Sequence, residues 1–271
     1  MNGTMAMGYD PDDDFGDLEE TYDRRRNVLV RTVALFVLLA FGATYAGINL
    51  TSFLRNRSDA VPTEALADPR GFKFLSMDPG TNQPVRYDPC TPIHYVINPT
   101  DAPRGGLEDI HEAVRLTAVA SGLRFSFDGQ VDEPLLSGQR DPVQEARYGP
   151  RWAPILIGWI PFDSNIFEVD GVGVAGSAIE RNRDGRLVYV TGSIILNGAD
   201  QLDNGFRPGK TWGKVALHEL GHVLGLDHVA DPAQVMHPSL VSSPAVWGVG
   251  DLAGLRLLGP DSGCLSVPEV P

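Results

Sequence analysis

The spacing of apolar residues divides the chain into three stretches of different character. From Val33 to Leu50 the sequence is apolar all round and uncharged for eighteen residues. That is about the span of a bilayer core at roughly 1.5 Å per residue. Residues 52–70 are polar and hold Pro62 and Pro69, the pattern of a linker. From Phe72 onward, strand-like and helix-like periods alternate. "FKFLSMDPGTNQPVRYD" predicts a hairpin, with Phe72 and Phe74 alternating and "DPG" plus Asn82 supplying the turn. "IHYVIN" (93–98) predicts a strand. "GLEDIHEAVRLTAVASG" predicts an amphipathic helix, because Leu107, Ile110, Val114 and Ala118 recur at three- and four-residue intervals. "LRFSF" (123–127) alternates as a strand, and 128–151 has no period and reads as a loop.

Further on, "APILIGWIPF" predicts a buried strand, and "GVGVAGSAIERNRDGRLVYVTGSIILN" two or three strands joined by a turn at "NRDG". "WGKVALHELGHVLG" predicts a second helix, and "GVGDLAGLRLLG" a third that stops at Gly259-Pro260. This order points to an α+β domain with one twisted mixed sheet. There is no internal repeat.

Charge sharpens the N-terminal picture. The chain carries 22 Lys and Arg against 35 Asp and Glu, a formal net charge of −13. Eight of those negative charges fall within residues 1–23, which have no Lys or Arg. Such a head buries too little apolar surface to order itself. Arg24, Arg25, Arg26 and Arg31 precede the apolar stretch, and Arg55 and Arg57 follow it. The heavier basic flank predicts a cytoplasmic N-terminal side. The expectation is therefore an acidic cytoplasmic tail (1–27), a transmembrane signal anchor (28–51), a linker (52–71), a domain outside the plasma membrane (72–265) and a short tail (266–271). The alternative is secretion after cleavage near Ala46, although "TYA" ahead of Gly47 is a poor cleavage site. No basic cluster suited to nucleic acid follows. Cys90 and Cys264 are the two cysteines. Outside the cytoplasm they are expected to pair, and closing most of the domain in one loop contributes on the order of 4–5 kcal/mol in the chain-entropy model.

The chemistry concentrates in "HELGHVLGLDH", residues 218–228, which holds three of the six histidines. His218 and His222 are four apart and share one helix face. Glu219 is about 100° further round, outside the ligand position but within reach of a water on a shared ion. Gly225 is expected to end the helix in a left-handed turn that brings His228 back toward the other two. Three imidazoles with an open fourth position describe a catalytic zinc site, in which the ion acidifies its water and Glu219 takes the proton. His94 and His111 do not fit by spacing, and His237, which follows Met236, reads equally as lining the pocket beside the ion or as an ordinary loop histidine.

Met236 stands in "QVMHP", eight residues after His228. Together "HELGHVLGLDH" and "VMHP" resemble the zinc motif and Met-turn of the metzincin metallopeptidases, most closely the matrixin group and its bacterial members. The resemblance runs over about residues 72–265 and is strongest in 209–258. It implies a five-stranded sheet with two helices above a cleft and a small irregular subdomain below, with Met236 as a hydrophobic floor rather than a ligand. It also implies that the strand nearest the cleft, by position Val174, Ala175, Gly176 and Ser177, pairs with the substrate backbone.

Two departures from the group matter. Vertebrate matrixins hold a second, structural zinc with histidines ahead of the helix. Here Ser177 and Ser193 fall near those positions and no histidine lies between His111 and His218, so that zinc is not expected. Calcium is doubtful as well, since turn chemistry explains the acidic residues of "NRDG" and "DQLDNG". Matrixin zymogens place a prodomain cysteine on the zinc, but "YDPCTP" lacks that arginine–cysteine–glycine pattern, which favours the disulfide for Cys90. The resulting expectation is a membrane-anchored zinc metalloendopeptidase acting on proteins or peptides. The alternatives are a zinc domain that binds peptides or cell-envelope components without cleaving them, and a hydrolase of cell-wall peptide cross-links.

Overall fold

A computed structural model of the chain describes residues 71–135, 140–163, 165–167, 171–239 and 245–271. The acidic head, the apolar stretch and nearly all of the expected linker lie outside these residues. Among the described residues no helix is long and apolar enough to cross a membrane.

The scaffold is a five-stranded mixed sheet with the order β5-β4-β6-β8-β7. Its strands are β4 (Ile93–Asn98), β5 (Phe125–Gln130), β6 (Ile155–Ile160), β7 (Gly173–Arg181) and β8 (Leu187–Asn197). β4, β5, β6 and β8 run parallel to one another, and β7 alone is antiparallel, at the edge. Central parallel strands are covered on both faces, which is why their sequences read as almost continuous apolar runs. Ile97, Ile157, Ile194 and Leu196 face the helices, while Val96, Leu156 and Ile195 face a smaller cluster with Ile166 and Phe167. The first face packs against α1 (Gly106–Ser121) and α3 (Trp212–Leu224). Gly122, at φ +75°, ends α1 in the left-handed region.

The expected hairpin at residues 72–88 is only partly formed, and its first half needs correction. β2 (Met77–Asp78) and β3 (Gln83–Pro84) do pair across the "DPGTN" turn, where Asp78 Oδ1 accepts the Gly80 amide at 2.8 Å. β1 (Lys73–Phe74) pairs instead with β9 (Leu226–Asp227), far along the chain. Packing decides this. Phe72 is buried against Gly254 of the C-terminal helix α4 (Val249–Leu258), where any Cβ would lie 3.1 Å from the Phe72 side chain. β5 begins two residues later than its pattern suggested, because Leu123 is taken up in the core and its amide bonds Ser121 Oγ.

The patternless region after β5 contains a short helix, α2 (Glu145–Tyr148), and a buried ion pair between Arg140 and Glu133. The "NRDG" segment is one turn between β7 and β8: Asn182 Oδ1 accepts the amides of Asp184 and Arg186. In "DQLDNG", Asp203 pairs with Arg207 and the Gly205 amide reaches the Asp109 carboxylate.

The C-terminal end is tied down at several points. Cys90 and Cys264 are bonded, with their Cα atoms 5.4 Å apart across 174 positions of sequence. Buried Arg86 donates to the carbonyls of Ser262 and Gly263 at 2.7 and 2.8 Å. Beyond them, Asn182 donates to Ser266 O and the Trp152 indole donates to Pro268 O.

Candidate metal centre

Helix α3 starts at Thr211, whose side chain accepts the Lys214 amide. Its apolar positions, among them Val215, Ala216, Leu220 and Val223, anchor it in the core. The face carrying His218 and His222 is thereby fixed. Gly225 then adopts φ +117°, and its amide reaches back to the carbonyls of Gly221 and His222, both at 3.0 Å. A side chain here would meet the Tyr189 ring at 3.1 Å and the Val85 carbonyl at 3.2 Å, so both conformation and space call for glycine. The reversed chain runs through β9, held to β1 on its far side, and delivers His228.

The three rings converge. Each pair of Nε2 atoms among His218, His222 and His228 is 3.1 Å apart. His218 Nδ1 donates to Val235 O at 2.8 Å, and His222 Nδ1 donates to Leu226 O at 2.9 Å. With the proton on Nδ1, Nε2 carries a bare lone pair. Burial first, and then the neighbouring imidazole, pushes His218 down to about 3 and His222 and His228 to about 4. Neutral rings facing one another through lone pairs gain nothing from each other; a cation between them is what this arrangement accommodates. The spacing suits zinc, since tetrahedral ligation at about 2.0–2.1 Å sets nitrogens roughly 3.3–3.4 Å apart. All three residues are half-buried, so the cluster is not sealed from solvent. A nitrogen-only donor set of this kind matches a zinc centre rather than a calcium one.

Glu219, the residue after His218 in α3, is 4% exposed. Burial raises its carboxyl to about 8, and Oε2 has no hydrogen-bond partner. Met236, 1% exposed, packs against Gly221 from below: a Cβ on Gly221 would lie 2.3 Å from its sulfur. Its carbonyl accepts the Val229 amide, closing the loop that carries His228.

Asp251 in α4 is a further participant. Its carboxylate accepts the amides of Val235 at 2.6 Å, Met236 at 3.4 Å and Gly248 at 2.9 Å. Since Val235 O is the acceptor for His218, Asp251 steadies that ring through one peptide unit. Burial pushes the Asp251 carboxyl up, and these amides pull it back.

The remaining candidates fall elsewhere. Among the described residues β7 is the edge strand beside α3, and Val174, Ala175, Gly176 and Ser177 lie on it. Ser177 Oγ donates to Val223 O at 2.8 Å and meets the Tyr87 hydroxyl at 2.8 Å, so its side chain is turned toward the helix. His94 is paired with Asp128 at 2.7 Å, and His111 with the Tyr95 hydroxyl at 2.9 Å. The half-buried His237 accepts the Ser239 amide at Nδ1. Cys90 is committed to its disulfide. Sequence reasoning missed Gly173, Gly221 and Asp251. For the glycine at 221 the only signal was its place between the two helix histidines. For Asp251 it was its position three residues after the glycine that caps α4.

Comparison with known families bears on this same region. Residues 168–249, which include β7, β8, α3, β9, the Met236 loop and the first residue of α4, match the family model of the matrixins. No curated protein matches the chain.

Proposed function

Starting from residues 168–249 as the heart of a matrixin-like metzincin catalytic domain, we propose that this chain is a zinc metalloendopeptidase. The observation that carries the reading is the triangle of imidazole nitrogens 3.1 Å apart beside a buried carboxylate with one unpartnered oxygen. His218, His222 and His228 hold the zinc. Bound there, zinc polarises the scissile carbonyl and makes water more acidic.

Glu219 is the general base. Its carboxylate takes a proton from the attacking water as oxygen bonds to the carbonyl carbon. It then returns that proton to the amide nitrogen as the C–N bond breaks, leaving an acid and an amine. Its unpartnered oxygen keeps a lone pair free for this exchange. Met236 and Gly221 set the floor, and the Nδ1 hydrogen bonds hold His218 and His222 in their ligating tautomer. An extended peptide adds to the edge strand β7 along Val174–Ser177, giving backbone recognition. Residues 28–51 anchor the chain in the plasma membrane with the domain outside.

The test uses the full chain purified in detergent with one equivalent of zinc. It should hydrolyse casein, lose activity to a chelator and recover it when zinc is restored. Replacing Glu219 with Gln should keep the zinc and remove the hydrolysis. Cleavage by that variant would overturn the role of the base. Zinc binding without hydrolysis of casein or of a cell-wall peptide by the unaltered chain would leave only a binding domain.

A further inference from the structure

Among the contacts between strand β7 and helix α3 are two on residues four apart. At one, Ser177 Oγ bonds the Val223 carbonyl. At the other, Gly173 comes against Glu219. A Cβ on Gly173 would lie 2.5 Å from Glu219 Oε1 and 2.9 Å from both its Cδ and its Cγ. Gly173 sits in the strand without the positive φ that would itself require glycine. The side chain is therefore missing for space and not for backbone conformation. The close approach is made on the face of β7 that carries Gly173 and Ser177; Gly176 lies on the other face, where its Cβ would meet open space.

Glu219 has few other restraints on where its carboxylate stands. It is buried, and no hydrogen bond reaches Oε2. A carboxylate fixed by packing rather than by donors takes its position from the wall it rests on, and here one wall is the bare Cα of the edge strand.

We propose that Gly173 is a positioning residue for Glu219. By staying without a side chain, it lets the carboxylate lie against the strand from which an added peptide would be recognised. The strand that takes up substrate and the group that takes its proton are then in direct contact. This rests on the reading of Glu219 as the base.

The experiment uses the full chain and the variants Gly173→Ala, Glu219→Ala and the double variant. Alanine at 173 suits a strand backbone, so its effect reports the clash. With casein as the probe, Gly173→Ala should lower kcat at least tenfold, because displacing a reacting group by about 1 Å can cost about 100-fold. KM should stay within about threefold and bound zinc at one per chain, since no metal ligand or backbone donor has changed.

Thermal unfolding closes a double-mutant cycle. Gly173→Ala should lower Tm, and deleting the Glu219 side chain should abolish that loss. Turnover within about twofold of the unaltered chain would overturn the proposal. So would a Tm loss that persists when Glu219 is Ala, or a variant that fails to fold with and without Glu219. The cycle needs no turnover. A surviving activity in Glu219→Ala alone would therefore refute the base and leave the contact to be judged by Tm.

Discussion

Two glutamates of this domain are buried to almost the same degree, Glu133 at 5% and Glu219 at 4% exposure, and are treated in opposite ways. Glu133 receives Arg140 through Nε at 2.7 Å and Nη2 at 2.8 Å, Gln144 at 2.6 Å, and the Tyr148 hydroxyl. Burial alone would raise its carboxyl, but these donors outweigh it and hold it at about 2. Glu219 has burial as its only resolved influence and stands at about 8, with one oxygen unpartnered. A saturated carboxylate fastens structure and has no lone pair to spare. An unsaturated one lowers stability and keeps the capacity to react. The same side chain is thus a rivet in the Arg140 cluster and, on the proposed function, a reagent beside the clustered histidines.

The largest effect that sharpens this contrast is on catalysis. Glu219→Gln should lower turnover by about 100- to 10,000-fold while Tm holds or rises, read by casein hydrolysis and thermal unfolding. A large fall in Tm would mean that Glu219 is a rivet too. Next, Arg140→Met should destabilise the domain by about 3–5 kcal/mol in urea unfolding, because it leaves Glu133 buried with two of its four side-chain hydrogen bonds gone. Zinc content below the transition should be unchanged.

The acid limb of stability follows from Glu133 with a definite sign. Its folded pKa lies below its unfolded value, so its contribution is full above about pH 4.5. That contribution, about 3 kcal/mol, is lost as pH falls toward 2. In Glu133→Gln this part of the pH dependence should vanish from urea unfolding measured between pH 6 and 3. Asp251 stands between the two glutamates, since backbone amides satisfy it at one remove from His218. Asp251→Asn should weaken zinc binding by about 10- to 100-fold in chelator competition. The smallest effect belongs to the ion pair of Lys73 and Asp227 at 2.6 Å, whose lysine is well exposed. Lys73→Met should shift stability by under about 1 kcal/mol.

How much of this was legible in the sequence depended on how local the cause was. The central strands could be read at Ile93–Asn98 and Ile155–Ile160 because an apolar run between turn residues is its own signal. The grouping of His218, His222 and His228 was visible because a helix repeat and one glycine bring them together within eleven residues. β1 and β9 could not be read: two-residue strands have no period, and their pairing joins positions some 150 residues apart. The Glu133 cluster lay hidden in a stretch without pattern, since its logic is charge satisfaction rather than periodicity. Gly173, Gly221 and Asp251 serve the site only through contacts made after folding. In sequence they are an unremarked strand glycine, a helix glycine and a helix-start acid.

The pairing of β1 with β9 has one more consequence. Lys73 and Phe74 are laced to the two residues just ahead of His228, and the Leu75 amide bonds Gly225 O. The first described strand is therefore a brace for the loop that carries His228. A nick between 72 and 76 should weaken zinc binding in chelator competition well before the helices melt.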